Sequence, residues 1–122
     1  MKRRKAFVVD KQVEKILLCS KEPIGAYQIA NKLSRVAATQ VYRALDRLVS
    51  TDRARRIIAR NAYVAITGNS DLIAVCRDCG EFKLLACPDA VRGLERMCDR
   101  QSFQIDRICL EMTVTCHNCS AS

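Results

Sequence analysis

The stretch Thr39-Gln40-Val41-Tyr42-Arg43-Ala44-Leu45-Asp46-Arg47-Leu48-Val49-Ser50 carries two unlike faces at helical spacing. Val41, Ala44, Leu45 and Leu48 fall on one side of a 3.6-residue helix, as a core-facing stripe does. Opposite them stand Gln40, Arg43, Arg47 and Ser50, with Tyr42 on the boundary, and Thr39 is placed to cap the first turn. On a helix lying in a major groove, Arg pairs bidentately with guanine and Gln with adenine, while Tyr42 reaches a phosphate or a thymine methyl. The plain alternative is the solvated side of an amphipathic helix. The surrounding sequence decides between them.

Upstream, Val9, Val13, Ile16 and Leu17 form one helical stripe, and Ala26, Ile29, Ala30 and Leu33 another. Asp10 is placed to cap the first helix, and Gly25, after Pro23, the second. Downstream, Arg55-Arg56-Ile57-Ile58-Ala59 and Ala62-Tyr63-Val64-Ala65-Ile66 are two β-rich runs around Arg60-Asn61, which predicts a hairpin with its turn at that pair. Three helices followed by a hairpin is the order of a winged helix-turn-helix, here over residues 1–66, with Arg55, Arg56 and Arg60 on its wing.

Charge favours a polyanion as partner. Residues 1–66 hold 15 Lys and Arg against 5 Asp and Glu, whereas residues 67–122 hold 6 against 8. The whole chain, with 122 residues and a formal charge of +8, is too short for a doubly wound or barrel enzyme with a deep pocket. Its 49% hydrophobic content, with 4 Gly and 2 Pro, excludes disordered and collagen-like classes. The apolar run Ala6 to Val9 after Met1-Lys2-Arg3-Arg4-Lys5 is too short for a signal peptide, and no run approaches a membrane span. A cytoplasmic protein with reduced thiols is expected, without a small-molecule substrate and without a membrane partner.

Seven of the 8 cysteines lie beyond the turn at Thr67 to Ser70. Cys76-Arg77-Asp78-Cys79 and Cys116-His117-Asn118-Cys119 are two C-x-x-C pairs separated by 36 residues. Two residues between thiolates let one turn present both sulfurs to a single tetrahedral ion, and two such turns complete a closed four-cysteine zinc site. Gly80 suits the tight knuckle. A dithiol redox centre, two disulfides and an iron–sulfur cluster are the competing readings. A redox motif needs one pair at a helix start in a βαβ setting, and here both pairs sit beside apparent strands. Cys19, Cys98 and Cys109 read as core filler, and Cys87, before Pro88 and a helix start, as the candidate reactive thiol.

Leu72 to Cys76 and Phe82 to Ala86 read as strands, and Pro88 to Arg100 as a helix with Val91, Leu94 and Cys98 inward. In the run Ile108 to Thr115, apolar Ile108, Leu110, Met112 and Val114 alternate with Cys109, Glu111, Thr113 and Thr115, a strand. The expected class is α+β: a winged helix-turn-helix over 1–66, a short hinge over 67–70, and a small β-β-α-β unit over 71–122. So small a sheet has open edges and a thin core, which a second copy would relieve. A homodimer would set two reading helices about one DNA turn apart on a palindrome.

These features together resemble the ferric uptake regulator (Fur) family of metalloregulators, and within it the zinc uptake regulator (Zur) branch. The resemblance spans Ile16 to Cys119. Its specific stretches are Pro23-Ile24-Gly25-Ala26-Tyr27, similar to the family's P-x-S-A-Y, and Val41-Tyr42-Arg43-Ala44-Leu45-Asp46, identical to its V-Y-R-A-L-D. Arg56-Ile57 with Asn61-Ala62-Tyr63-Val64 resembles the zinc branch's wing, and the two C-x-x-C pairs complete the set. The resemblance implies a dimeric repressor on operator DNA, Tyr42 and Arg43 touching that DNA, and one structural zinc per chain on Cys76, Cys79, Cys116 and Cys119.

The chain departs from the family at the hinge, which there holds a second, regulatory metal and is rich in His. Ile66 stands where the zinc branch has Cys, Leu84 where the family has Glu, and the chain's one His, His117, lies in a knuckle and is expected to face solvent. Ile, Thr, Asn and Leu offer no borderline ligands. Gln40 and Ala38 replace the Thr and Pro of the recognition helix, Arg53 replaces an apolar residue, and Asp52 replaces a Gly expected in left-handed conformation. The expected function is a zinc-stabilised dimeric DNA-binding regulator without the usual sensor. The alternative is a degenerate member acting as an interaction module that heterodimerises with a full-length regulator.

Overall fold

The computed structural model describes residues 2–68 and 71–120, with side-chain surroundings from residue 8 onward. Asn69 and Ser70 of the expected hinge lie outside the described residues. The chain divides into two compact units, Met1–Ile66 and Thr67–Ser122.

In the first unit, helices α1 (Lys2–Cys19), α2 (Ala26–Lys32) and α3 (Ala38–Ser50) precede strands β1 (Ala54–Ile57) and β2 (Ala62–Ala65). The apolar stripes meet in one core: Val9, Val13, Leu17, Ile29, Val41, Ala44, Leu45 and Leu48 are all buried. Asp10 does not start the first helix. The Lys-Arg-rich run before it consists of good helix formers, so α1 extends back to Lys2 and leaves Asp10 inside it. Its carboxylate instead accepts from the Arg47 guanidinium of α3, at 2.9 Å from Nε and 2.7 Å from Nη2. Glu14, one turn on, faces Arg53 at 3.4 Å.

The Asp10–Arg47 pair is bidentate, and its side chains are 21% and 45% exposed. Such geometry places it at the upper end of surface ion pairs, about 0.5–1 kcal/mol. Asp10→Ala is accordingly expected to lower the melting temperature of the first unit by roughly 2–8 °C. A thermal melt unchanged within error would show that the pair contributes nothing.

Helix α2 begins as expected after Gly25, whose N–H donates to Gln28 Oε1 at 2.9 Å. Helix α3 begins earlier than expected. Its cap is Ala37 rather than Thr39, and the Ala37 N–H donates to Gln40 Oε1 at 3.1 Å, the backward half of a capping box. At its end Asp52 takes the left-handed conformation, φ 60°, and the Arg53 N–H closes onto the Leu48 carbonyl at 2.8 Å.

β1 and β2 pair antiparallel, Arg55 opposite Val64 and Ile57 opposite Ala62. The turn between them is longer than the expected Arg60-Asn61 pair: a 3₁₀ turn over Ile58–Arg60 closes on Asn61, left-handed at φ 49°. Ile24 joins the other edge of β2 through two backbone bonds with Tyr63, 2.8 and 3.0 Å. The hairpin base is fixed by the Ile66 N–H to the Arg53 carbonyl, 2.9 Å.

In the second unit β3 (Leu72–Cys76), β4 (Phe82–Leu85), α4 (Pro88–Arg100), β5 (Leu110–Val114) and a short α5 (His117–Ser120) follow in order. The sheet order is β4-β3-β5, antiparallel between β3 and β4 and parallel between β3 and β5. The strands are shorter than the sequence predicts, stopping before Ala86 and starting after Ile108. Ile73, Val75 and Cys76 of β3 are buried, whereas α4 buries no residue: Val91, Leu94 and Cys98, expected inward, are only half-covered. Cys19 and Cys109, read as core filler, are exposed, and Cys98 is half-buried. Cys19 falls two residues past Leu17, off the buried stripe of α1, and Cys109 shares parity with the exposed Glu111 and Thr113.

Candidate nucleic-acid interface and metal centre

The first candidate site is the outer face of α3. With Val41, Ala44, Leu45 and Leu48 fixing the buried side, Tyr42, Arg43 and Asp46 are turned outward. Tyr42 packs edge-on against Tyr27 of α2, ring centroids 6.0 Å apart at 85°. Tyr27 is 67% exposed, so the two rings present a common aromatic edge beside Arg43. Sequence reading passed over Tyr27 because helical spacing relates residues within one helix and says nothing of a ring on the next.

Two residues expected on this face have internal partners. Gln40 caps its own helix, and Arg47 is held by Asp10, which raises the guanidinium's pKa first of all through that hydrogen bond. Of the hairpin arginines, Arg56 and Arg60 are exposed and Arg55 is half-buried. Arg56 Nη2 donates to Asn61 Oδ1 at 2.8 Å, tying the strand to the left-handed residue that ends the turn.

The second candidate site is built by the sheet register. Cys76 ends β3 opposite Val114 of β5, so the chain delivers Cys116 two residues later to the same end of the sheet. The first pair turns through Gly80, φ 81°, whose N–H donates to the Cys76 carbonyl at 3.0 Å. The second pair spans the start of α5, Cys116 just before it and Cys119 within it, and the Ser120 N–H donates to the Cys116 carbonyl at 2.9 Å. His117 is exposed, as expected.

All four sulfurs lie within 4.8 Å of one another, and Cys79 Sγ is 3.8 Å from Cys116 Sγ. A tetrahedron with zinc–sulfur bonds of about 2.3 Å has an edge of about 3.8 Å. The donor set therefore fits a tetrahedral thiolate metal ion. Backbone donors prepare the sulfurs for charge: the Glu81 N–H points at Cys79 Sγ and the Cys116 N–H at Cys76 Sγ, both at 3.4 Å. The backbone N–H groups of Cys79 and then Cys116 pull the Cys76 thiol down to about 6. Cys119 responds oppositely: facing first the Cys116 and then the Cys76 sulfur, it is pushed up to about 12. Four thiolates so close cannot all ionise without a cation between them.

Cys87 caps α4 and is half-buried, its backbone N–H donating to Asp71 Oδ2 at 3.1 Å. Ile66 and Leu84, at the positions of the family's regulatory ligands, are half-buried. No described helix is long and apolar enough to cross a membrane.

No protein-family model matches the chain, and no curated protein matches it in sequence. Solved structures do match. Holo XcZur superposes with a TM-score of 0.84 at 26% identity, over 93% of this chain and 85% of that one. A zinc uptake regulator complexed with zinc and DNA gives 0.82 at 19% identity, over 93% and 81%. The Campylobacter jejuni peroxide stress regulator gives 0.70 at 21%, over 94% and 91%. The fold is thus that of the ferric uptake regulator family of metalloregulators, whose members are transcriptional regulators and not enzymes.

Proposed function

We propose that this chain is a dimeric, sequence-specific DNA-binding transcriptional repressor of the cytoplasm, with residues 1–66 as a winged helix-turn-helix and residues 71–122 as a dimerisation domain held by one structural zinc. The observation that carries the reading is the outward face of α3, where Tyr42 and Arg43 stand on a helix whose other side is locked into the core. The surplus of 15 basic over 5 acidic residues in the same unit supports a phosphate-rich partner. So does the likeness to a zinc uptake regulator complexed with zinc and DNA. Tyr42, Arg43 and Tyr27 make the groove contacts, and Arg55, Arg56 and Arg60 work near the phosphates.

Zinc on Cys76, Cys79, Cys116 and Cys119 supplies a fixed tetrahedral cross-link between the two knuckles. With four protein sulfurs the shell is closed, so the ion shapes the domain and catalyses nothing. Dimerisation is favoured by the half-covered face of α4 and by β4 and β5, both sheet edges, which carry Leu85 at 41% and Met112 at 44% exposure. The apolar side chains of Ile66 and Leu84 leave DNA affinity without the family's usual regulatory ligands at those positions. Selection of sites from random duplex by zinc-loaded protein at about 150 mM salt tests the proposal. Recovery of a palindromic site bound by two chains is expected; recovery of no preferred sequence would refute it.

A further inference from the structure

We propose that Ile58, at the tip of the β1–β2 hairpin, is an apolar wedge for the minor groove of the bound duplex and sets a preference for A·T pairs there. The inference rests on the DNA-binding function proposed above. Ile58 is 78% exposed, more than any other large apolar side chain among the described residues. A single exposed isoleucine is ordinary on a protein surface. This one is set apart by its mounting and its neighbours.

The mounting is rigid. Ile57 just before it is fully buried and Ala62 across the turn nearly so, which anchors both feet of the turn. The Asn61 N–H donates to the Ile58 carbonyl at 3.3 Å, and the Asn61 side chain is held by Arg56. The neighbours are cationic: Arg56 and Arg60 are both exposed on the same hairpin. Strands of four residues, at about 3.3 Å per residue, carry the tip roughly 13 Å from the base of the hairpin, a span close to the 12 Å width of a major groove. A hairpin beside a helix seated in that groove therefore reaches past the phosphates bordering it.

Arginines bring the tip to the phosphates, but a hydrated phosphate offers nothing to an isoleucine. The sugar walls and base floor of the minor groove do, and branched apolar side chains inserted there loosen base stacking. The guanine 2-amino group projects from that floor and blocks such an insertion, whereas A·T pairs leave it open and TA steps unstack easily. Ile58 thus selects by shape at positions that α3 does not touch.

The test uses full-length, zinc-loaded protein and the duplex that the wild type selects, with flanking A·T pairs changed to G·C or to inosine·C. Inosine lacks the 2-amino group, so its minor groove matches A·T while its major groove matches G·C. Wild type is expected to bind A·T and inosine·C flanks alike and G·C flanks about ten-fold more weakly. Ile58→Ala and Ile58→Ser, with wild-type melting curves, are expected to bind about ten-fold more weakly, to treat the three flanks alike and to keep the wild-type salt slope. Full affinity and flank preference in Ile58→Ala, or inosine·C behaving as G·C, would overturn the wedge while DNA binding stands. If the wild type selects no duplex at all, the function proposed above fails and the wedge with it.

Discussion

Stripping zinc with a strong chelator under reducing conditions is expected to unfold residues 67–122 and leave residues 2–66 folded. The two units are unequally provided with core. Among the described residues, sixteen of the buried apolar ones lie in the first unit and three, Ile73, Val75 and Cys76, in the second. An ion bound by four thiolates contributes about 10–16 kcal/mol at pH 7 in small zinc domains, as much as the whole stability of an ordinary domain. It cannot be removed from so thin a core without loss of the fold. Hydrogen exchange checks this: β3 amides lose protection in the chelated protein while those of α3 keep it. Persistent protection of β3 would remove zinc from its structural role. Cys116→Ser is expected to act like the chelator. Acid works in the same direction, because the ion binds thiolates and protons compete for them. The Cys119 proton, held to about 12 in the metal-free site, must leave on binding, and below about 6 even Cys76 takes one up. Zinc affinity therefore falls as pH falls, and unfolding of the second unit follows the loss of the ion.

The helices of the first unit were legible because each packs one stripe on one core. All four residues of the α3 stripe are buried, and Pro88 marks the start of α4. Two short features escaped. The four-residue α5 depends on the cysteine knuckle rather than on periodicity, and the hairpin tip depends on Asn61 taking a left-handed conformation. Periodicity also names a face without its depth, which is why the α4 stripe was placed too deep. The four-cysteine cluster was legible, since C-x-x-C spacing is itself a geometric constraint. The outward face of α3 was legible as a face but not by member. Arg47 finds Asp10 from 37 residues away, and Gln40 turns back to Ala37, so neither fate is written in the local pattern.

That distinction separates two arginines which the sequence alone treats as equivalent. Arg43 stands exposed next to the aromatic edge of Tyr27 and Tyr42, while Arg47, one helical turn on, is committed to α1. A bidentate arginine–guanine contact discriminates by about 1–3 kcal/mol. Arg43→Ala is therefore expected to weaken binding to the selected site by roughly 5- to 150-fold and to relax preference at one base pair in each half-site. Arg47→Ala is expected to lower stability as Asp10→Ala does and to leave base preference intact. Anisotropy titrations on matched and single-substituted duplexes, run from 50 to 200 mM salt, read both effects. Wild-type affinity should fall by about 10³ or more over that range if six or more phosphates are neutralised, the fall expected for the surplus of basic residues in the first unit. The salt slope of Arg43→Ala should stay near that of the wild type, because a base contact is lost and not a phosphate. If instead Arg47→Ala relaxes base preference and Arg43→Ala does not, the Asp10 tether opens on DNA, and the reading face is the one that helical spacing alone describes.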